Sequence, residues 1–163
     1  LLKCNQTNIC SMSKAGLDSN LEDLLRAFFV ADEREAEYLL GTNLQSFGAR
    51  VRTAYCLGLL SEDECHDLRI IKEIRNHFAH HLHVSFEDAF VLEHCRGLRM
   101  LQRLRPESAG LSPRQLLEHS ACLLSVLLVV RREEIAGQRR TLRGELSEVD
   151  VNEQCPFMET PGS

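Results

Sequence analysis

Hydrophobic residues recur at helical spacing along most of the chain, and strand-like alternation is hard to find. Leu21, Leu24, Leu25, Phe28 and Phe29 form the first apolar stripe. They predict one helix from Asp18 or Ser19, either of which serves as N-cap, to Gly41, which stops it as the residue after the C-cap. Glu33, Glu35 and Glu37 fall on its solvated second half. A second helix is predicted over roughly 46–60, with Phe47, Val51, Ala54, Tyr55, Gly58 and Leu59 as packing positions and Arg50 and Arg52 outward. Gly48 and Gly58 lack side chains and allow close helix approach. The third helix, Ser61 to His83, has the strongest start signal: Ser61 and Glu64 fit a reciprocal capping box, and Glu62 and Asp63 sit where the helix dipole favours negative charge. Leu68, Ile71, Ile74, Phe78 and Leu82 mark its buried stripe, widened by Ile70. Ser85 is the expected cap of a fourth helix, Phe86 to about Gly97, with Phe90, Val91 and Cys95 inward. The segment Arg99 to Leu111 reads as a loop with some helical turn before it. Ser112 and Pro113 then open a last helix that is apolar nearly all round in its middle, the mark of a central bundle element. The expectation is an all-α fold, one compact bundle of about five helices over residues 18–143. A flexible lead-in over 1–17 and a disordered acidic tail over 144–163 flank it.

Composition changes this picture in three ways. With 163 residues the chain has the length for one domain with a sizeable core, and it lacks Trp. The net charge of −5 argues against a general phosphate-binding surface and leaves room for a small basic site. The seven cysteines are odd in number, widely spaced and without CxxC, which fits reduced thiols; Cys56 and Cys122, among apolar neighbours, are expected in the core. The chain opens on Leu1 rather than Met, and its first residues lack a signal-peptide apolar region. The longest apolar run, Ala121 to Val130, is broken by Ser125 and falls short of the roughly 20 residues that span a bilayer. A soluble cytoplasmic protein is expected.

The densest cluster of chemically capable residues lies at the end of the third helix: Arg75, Asn76, His77, His80, His81 and His83. At about 100° per residue, Arg75 sits at the edge of the apolar stripe, while Asn76 and His80 are neighbours on the polar face shared by Arg69 and Glu73. The simpler reading is an interaction surface made of Arg69, Glu73, Arg75, Asn76 and His80, the arginine pairing with a neighbouring helix. The alternative reading is a phosphodiester site. His80 would serve as acid or base, Arg75 would neutralise phosphate, and Asn76 would orient either one. That set suffices for metal-free RNA cleavage with the 2′-hydroxyl as nucleophile.

Other chemistry has weaker signals. His77 and His81 are spaced as a helical pair, but a metal would need further ligands such as His66, Cys65 or Glu87, and neither a metal nor a cofactor is predicted. A DNA-reading helix after the turn at Leu60-Ser61 would open with Glu62, Asp63 and Glu64, which repel phosphate, so direct DNA binding is not expected. Arg131, Arg132, Arg139, Arg140 and Arg143 form a basic end diluted by Glu133 and Glu134 and read as a solvated helix end, with nucleic-acid contact as the alternative. Nucleotide-binding and hydrolase motifs of the Walker, GxGxxG and GxSxG kinds are absent from the sequence.

The block from Leu44 to His80 resembles the signature of the mannitol operon repressor family. The corresponding pieces are Ser46-Phe47-Gly48-Ala49-Arg50, Ala54 to Ser61, the acidic Glu62-Asp63-Glu64, His66-Asp67-Leu68, and Ile74 to His80. Gly48 and Cys56 stand where the family pattern has Ser and Ala, and His77 and His81 are unusual. The resemblance extends over about residues 19–135. It implies an all-helical transcriptional regulator of sugar-alcohol metabolism; because the sequence shows no standard DNA-binding motif and is acidic, action through a protein partner, with a homodimer as one candidate, is expected. A shorter resemblance covers Arg75 to His80, which fits the R-x4-H motif of HEPN domains. Many of those helical proteins are dimeric ribonucleases or toxin components, so this resemblance implies RNA as substrate and Arg75 and His80 as the acting pair.

Overall fold

The computed structural model describes residues 16–81 and 83–137. Helix α1 covers residues 16–28, α2 Glu33–Thr42, α3 Phe47–Cys56, α4 Glu62–His80, α5 Ala89–Arg96, α6 Met100–Leu104 and α7 Pro113–Ala136. A 3-10 turn, Pro106–Gly110, joins α6 to α7. The fold is the all-α bundle that the periodicity predicts, with seven α-helices among the described residues rather than about five. The lead-in before residue 16 and the tail after residue 137 lie outside the described residues, as do Leu82, Arg139, Arg140 and Arg143.

Two differences account for the extra helices. The single helix expected up to Gly41 is broken after residue 28, because the Asp32 carboxylate accepts from the Glu35 amide and starts α2 afresh. Gly41 is therefore inside α2, and the helix ends at Thr42 with Asn43 as its C-cap. The expected loop from Arg99 contains α6, whose first amides are capped from a distance: the buried Asp67 carboxylate of α4 accepts from Arg99 N at 2.9 Å and Met100 N at 2.9 Å. A similar local reason moves the start of α5. Ser85 Oγ accepts from Glu87 N and closes a turn, while Asp88 accepts from Phe90 N and caps the helix. The lead-in also gives way early, since Leu17 is fully buried in α1.

The core is continuous from α1 to α7. Leu17, Leu21, Leu24 and Leu25 of α1 join Val51 and Ala54 of α3, Leu68, Ile71 and Ile74 of α4, Val91 and Cys95 of α5, and Leu124 and Leu128 of α7. Phe78 packs at the margin of this cluster. Helix α4 takes the central place expected of the last helix, since α3, α5, α6 and α7 all pack against it. Helix α7 buries Leu116, Leu117, Ala121, Leu124 and Leu128 and leaves its opposite face open: Val126 is 55%, Val130 49% and Val129 36% exposed. By length and composition α7 is long and apolar enough to cross a membrane, a test that core helices also pass; in the fold its leucine edge is covered by the bundle.

The burial pattern corrects three further expectations. Arg50 is buried, not outward: its guanidinium bonds Asp18 at 2.8 Å and Glu22 at 2.8 Å and fastens α3 to α1. Cys56 and Cys122 are exposed, whereas Cys65 and Cys95 are in the core. Tyr55 is also exposed, because α3 stops at Cys56 and Gly58 turns the chain with φ +73°, so that Leu59 and Leu60 take the inward positions.

Candidate functional site

The site is built on α4, and both ends of that helix are held by its neighbours. At the start, Ser61 Oγ accepts from Glu64 N while Glu64 Oε2 accepts from Ser61 N at 2.7 Å, completing the capping box. The same carboxylate binds Arg131 of α7 at 2.9 Å, and Arg131 also donates to the Leu59 carbonyl. Burial alone would raise the Glu64 carboxyl; the Arg131 guanidinium and the Ser61 amide outweigh it and hold the group below its ordinary value. Asp67, one turn on, goes the other way. Its burial outweighs the two amides it caps, and its carboxyl sits above the ordinary value.

At the far end the polar residues divide between two faces. Arg75 turns toward α3, its guanidinium carbon 5.4 Å from the centre of the Phe47 ring, a cation–π contact. Asn76 and His80 are exposed on the outer face. Five residues of helix place Arg75 and His80 about 140° apart around the axis. A phosphate touching both would therefore require Arg75 to leave the Phe47 ring. Arg69 and Glu73, the other members of the expected surface, are exposed on the preceding turns.

The histidines that the sequence left as surface residues form a ladder with α5. His77 stacks on Phe90 with ring centres 4.3 Å apart, Phe90 stacks on His94 at 3.8 Å, and the His81 ring lies tilted 4.5 Å from that of His77. Acceptors flank the ladder. His77 Nε2 is 3.4 Å from an Asp88 oxygen without a hydrogen bond between them, His94 Nδ1 faces the Phe90 carbonyl at 2.8 Å, and His94 Nε2 faces Glu73 Oε2 at 3.2 Å. The stack ties the end of α4 to the start of α5. Its sequence signal was the i, i+4 pair His77 and His81, but the α5 partners cannot be seen without the fold. The other candidate metal ligands are elsewhere engaged: His66 bonds the Gly97 carbonyl and Cys65 is buried. Among the described residues no group of three or more His, Cys, Asp or Glu side chains is placed to hold a metal ion.

One cavity adjoins this surface. It lies between α3 and α4, has a volume of about 370 Å³, and includes Arg52, Arg69, Lys72 and Glu73 in its wall. Sequence reading placed Arg69 and Glu73 on the functional face but missed Lys72 and Arg52, which reach the cavity from different helices. Comparison with protein-family models, with curated proteins and with solved structures finds no match to this chain.

Proposed function

We propose that this protein is a cytoplasmic transcriptional regulator of the mannitol operon repressor type that works through protein contact rather than through a DNA-reading helix. The observation that carries the contact mode is the open face of α7, an apolar stripe on a helix whose other face is packed into the bundle. The resemblance over Leu44 to His80 supplies the regulatory part of the reading. The turn between α3 and α4 supports the exclusion of DNA, since α4 opens with Glu62, Asp63 and Glu64.

The partner at α7 is a second copy of the chain. The exposed residues His119, Cys122, Val126, Val130 and Glu133 are symmetric about Val126. Two α7 helices packed antiparallel about that residue would set Val126 against itself, Cys122 against Val130, and His119 against Glu133. Such a self-complementary seam is what a two-fold interface requires. Vesicle binding by the full chain through α7 would replace this reading with a membrane one. Direct repression would appear as operator binding at low salt that weakens steeply as salt rises.

A second reading is a metal-independent ribonuclease of the HEPN type, favoured by the solvent-open Asn76 and His80 on the last turn of α4. Incubation of purified protein with single-stranded RNA in chelator separates the two. The regulator reading predicts intact RNA; cleavage that disappears in His80→Ala would establish the nuclease.

A further inference from the structure

The cavity between α3 and α4 concentrates positive charge on a chain of net charge −5. Arg52 comes from α3, and Arg69 and Lys72 from successive turns of α4. Among the described residues none of the three makes an ion pair with a carboxylate, although acidic side chains outnumber basic ones. Arg69 lies beside the Cys65 thiol, which occupies at most one of its donors. The one carboxylate in the wall, Glu73, faces His94.

Gly48 fits this arrangement. A Cβ at that position would lie 2.8 Å from Lys72 Nζ, so the ammonium lies against the first turn of α3 in space that the glycine leaves open. The positive end of the α3 dipole adds to the same field. Val51 and Leu68, both almost fully buried, back the cavity, and its volume of about 370 Å³ falls in the range of small-ligand pockets, about 300–1,000 Å³.

We propose that this cavity binds a small molecule bearing a phosphate monoester, held by Arg52, Arg69 and Lys72. A carboxylate has two oxygens and is satisfied by one guanidinium fork. A phosphate monoester has three terminal oxygens and a charge near −2, which engages two forks and an ammonium together. The concave, two-helix wall suits a compact ligand rather than a polymer backbone. The proposal requires only the cavity and its charges, so it holds or fails independently of the regulatory reading.

The test is calorimetric titration of the full chain with inorganic phosphate, with glycerol 3-phosphate and with a short single-stranded RNA at near-physiological salt. Saturable binding of glycerol 3-phosphate at one site is expected, with phosphate weaker and competing for the same site. The double variant Arg69→Gln/Lys72→Gln should weaken it by about tenfold or more, the scale of lost charge-assisted bonds, with helical circular dichroism unchanged. Arg96→Gln, which removes a charge from α5, should leave binding unchanged. No saturable binding of either phosphate compound would overturn the proposal. So would binding that the double variant leaves intact, an Arg96→Gln effect as large as the double variant's, or a clear preference for the RNA.

Discussion

The side chains that matter most to the architecture are charged residues inside it. Glu64 is shared between the cap of α4 and Arg131 of α7, so its loss would open both. Glu64→Gln is expected to destabilise the fold by about 2 kcal/mol at neutral pH, less than the roughly 3–5 kcal/mol of a fully buried pair because Arg131 is partly solvated. The pH dependence has a definite sign. Glu64 has a folded value below its ordinary 4.5, so its contribution is fully present above that pH and is lost as pH falls through the lower folded value. Denaturant midpoints of wild type and Glu64→Gln should therefore converge in acid; a gap that stays constant with pH would refute the linkage. Asp67 acts in the opposite sense, since its raised folded value means that ionisation costs stability as pH rises from the ordinary 3.8 through it. The capping partnership of Ser61 and Glu64 was legible in the sequence because both residues lie within one turn. The Arg131 and Asp67 partnerships were not, since they join positions 67 and 32 residues apart.

At the scale of elements, apolar periodicity located most helices, and local chemistry set their ends. Asp32 and Gly41 show where the pattern misleads. An unbroken run of helix-compatible residues hides a restart at an aspartate cap, and a glycine that looks like a stop is interior. These roles predict opposite effects. Asp32→Ala should destabilise by about 1 kcal/mol through loss of the cap. Gly41→Ala should stabilise by about 0.5–1 kcal/mol, because the position is helical and a Cβ there meets nothing within 4 Å. Thermal unfolding of the two variants decides it; destabilisation by Gly41→Ala would restore the helix stop. Helix α7 misled in a different way. Its valines and leucines are alike in hydropathy, and only packing separates the buried Leu124 and Leu128 from the open Val126 and Val130. If two α7 helices cross at Val126, Val126→Cys in a Cys122→Ser background should oxidise to a symmetric inter-chain disulfide. Failure to form it under oxidation that crosslinks other exposed thiols would exclude that register.

Across the whole molecule, the bundle divides its cysteines and its candidate site more sharply than the sequence does. Burial pushes the Cys95 thiol up to about 11 and raises Cys65 as well, although Arg69 draws the latter back in part. Native alkylation followed by mass spectrometry should label Cys56, should label Cys122 faster in the Val126→Glu variant than in a dimer that covers it, and should spare Cys65 and Cys95 until the chain is unfolded; early labelling of Cys95 would contradict the packing of α5 on α7. The candidate face was legible as a cluster on α4, but its division was not. Arg75 belongs to the α3 contact, Arg69 and Glu73 to the cavity, and Asn76 and His80 to open solvent. Helical spacing gave the angles, while the choice of rotamer toward Phe47 depends on where α3 lies. The account as a whole rests on contact through the open face of α7. Sedimentation velocity of the full chain, beside Val126→Glu at equal concentration, tests it most directly. The account predicts a dimer that becomes a monomer in the variant with its helical content intact. A monomeric wild type, or a dimer that Val126→Glu leaves unchanged, would contradict it.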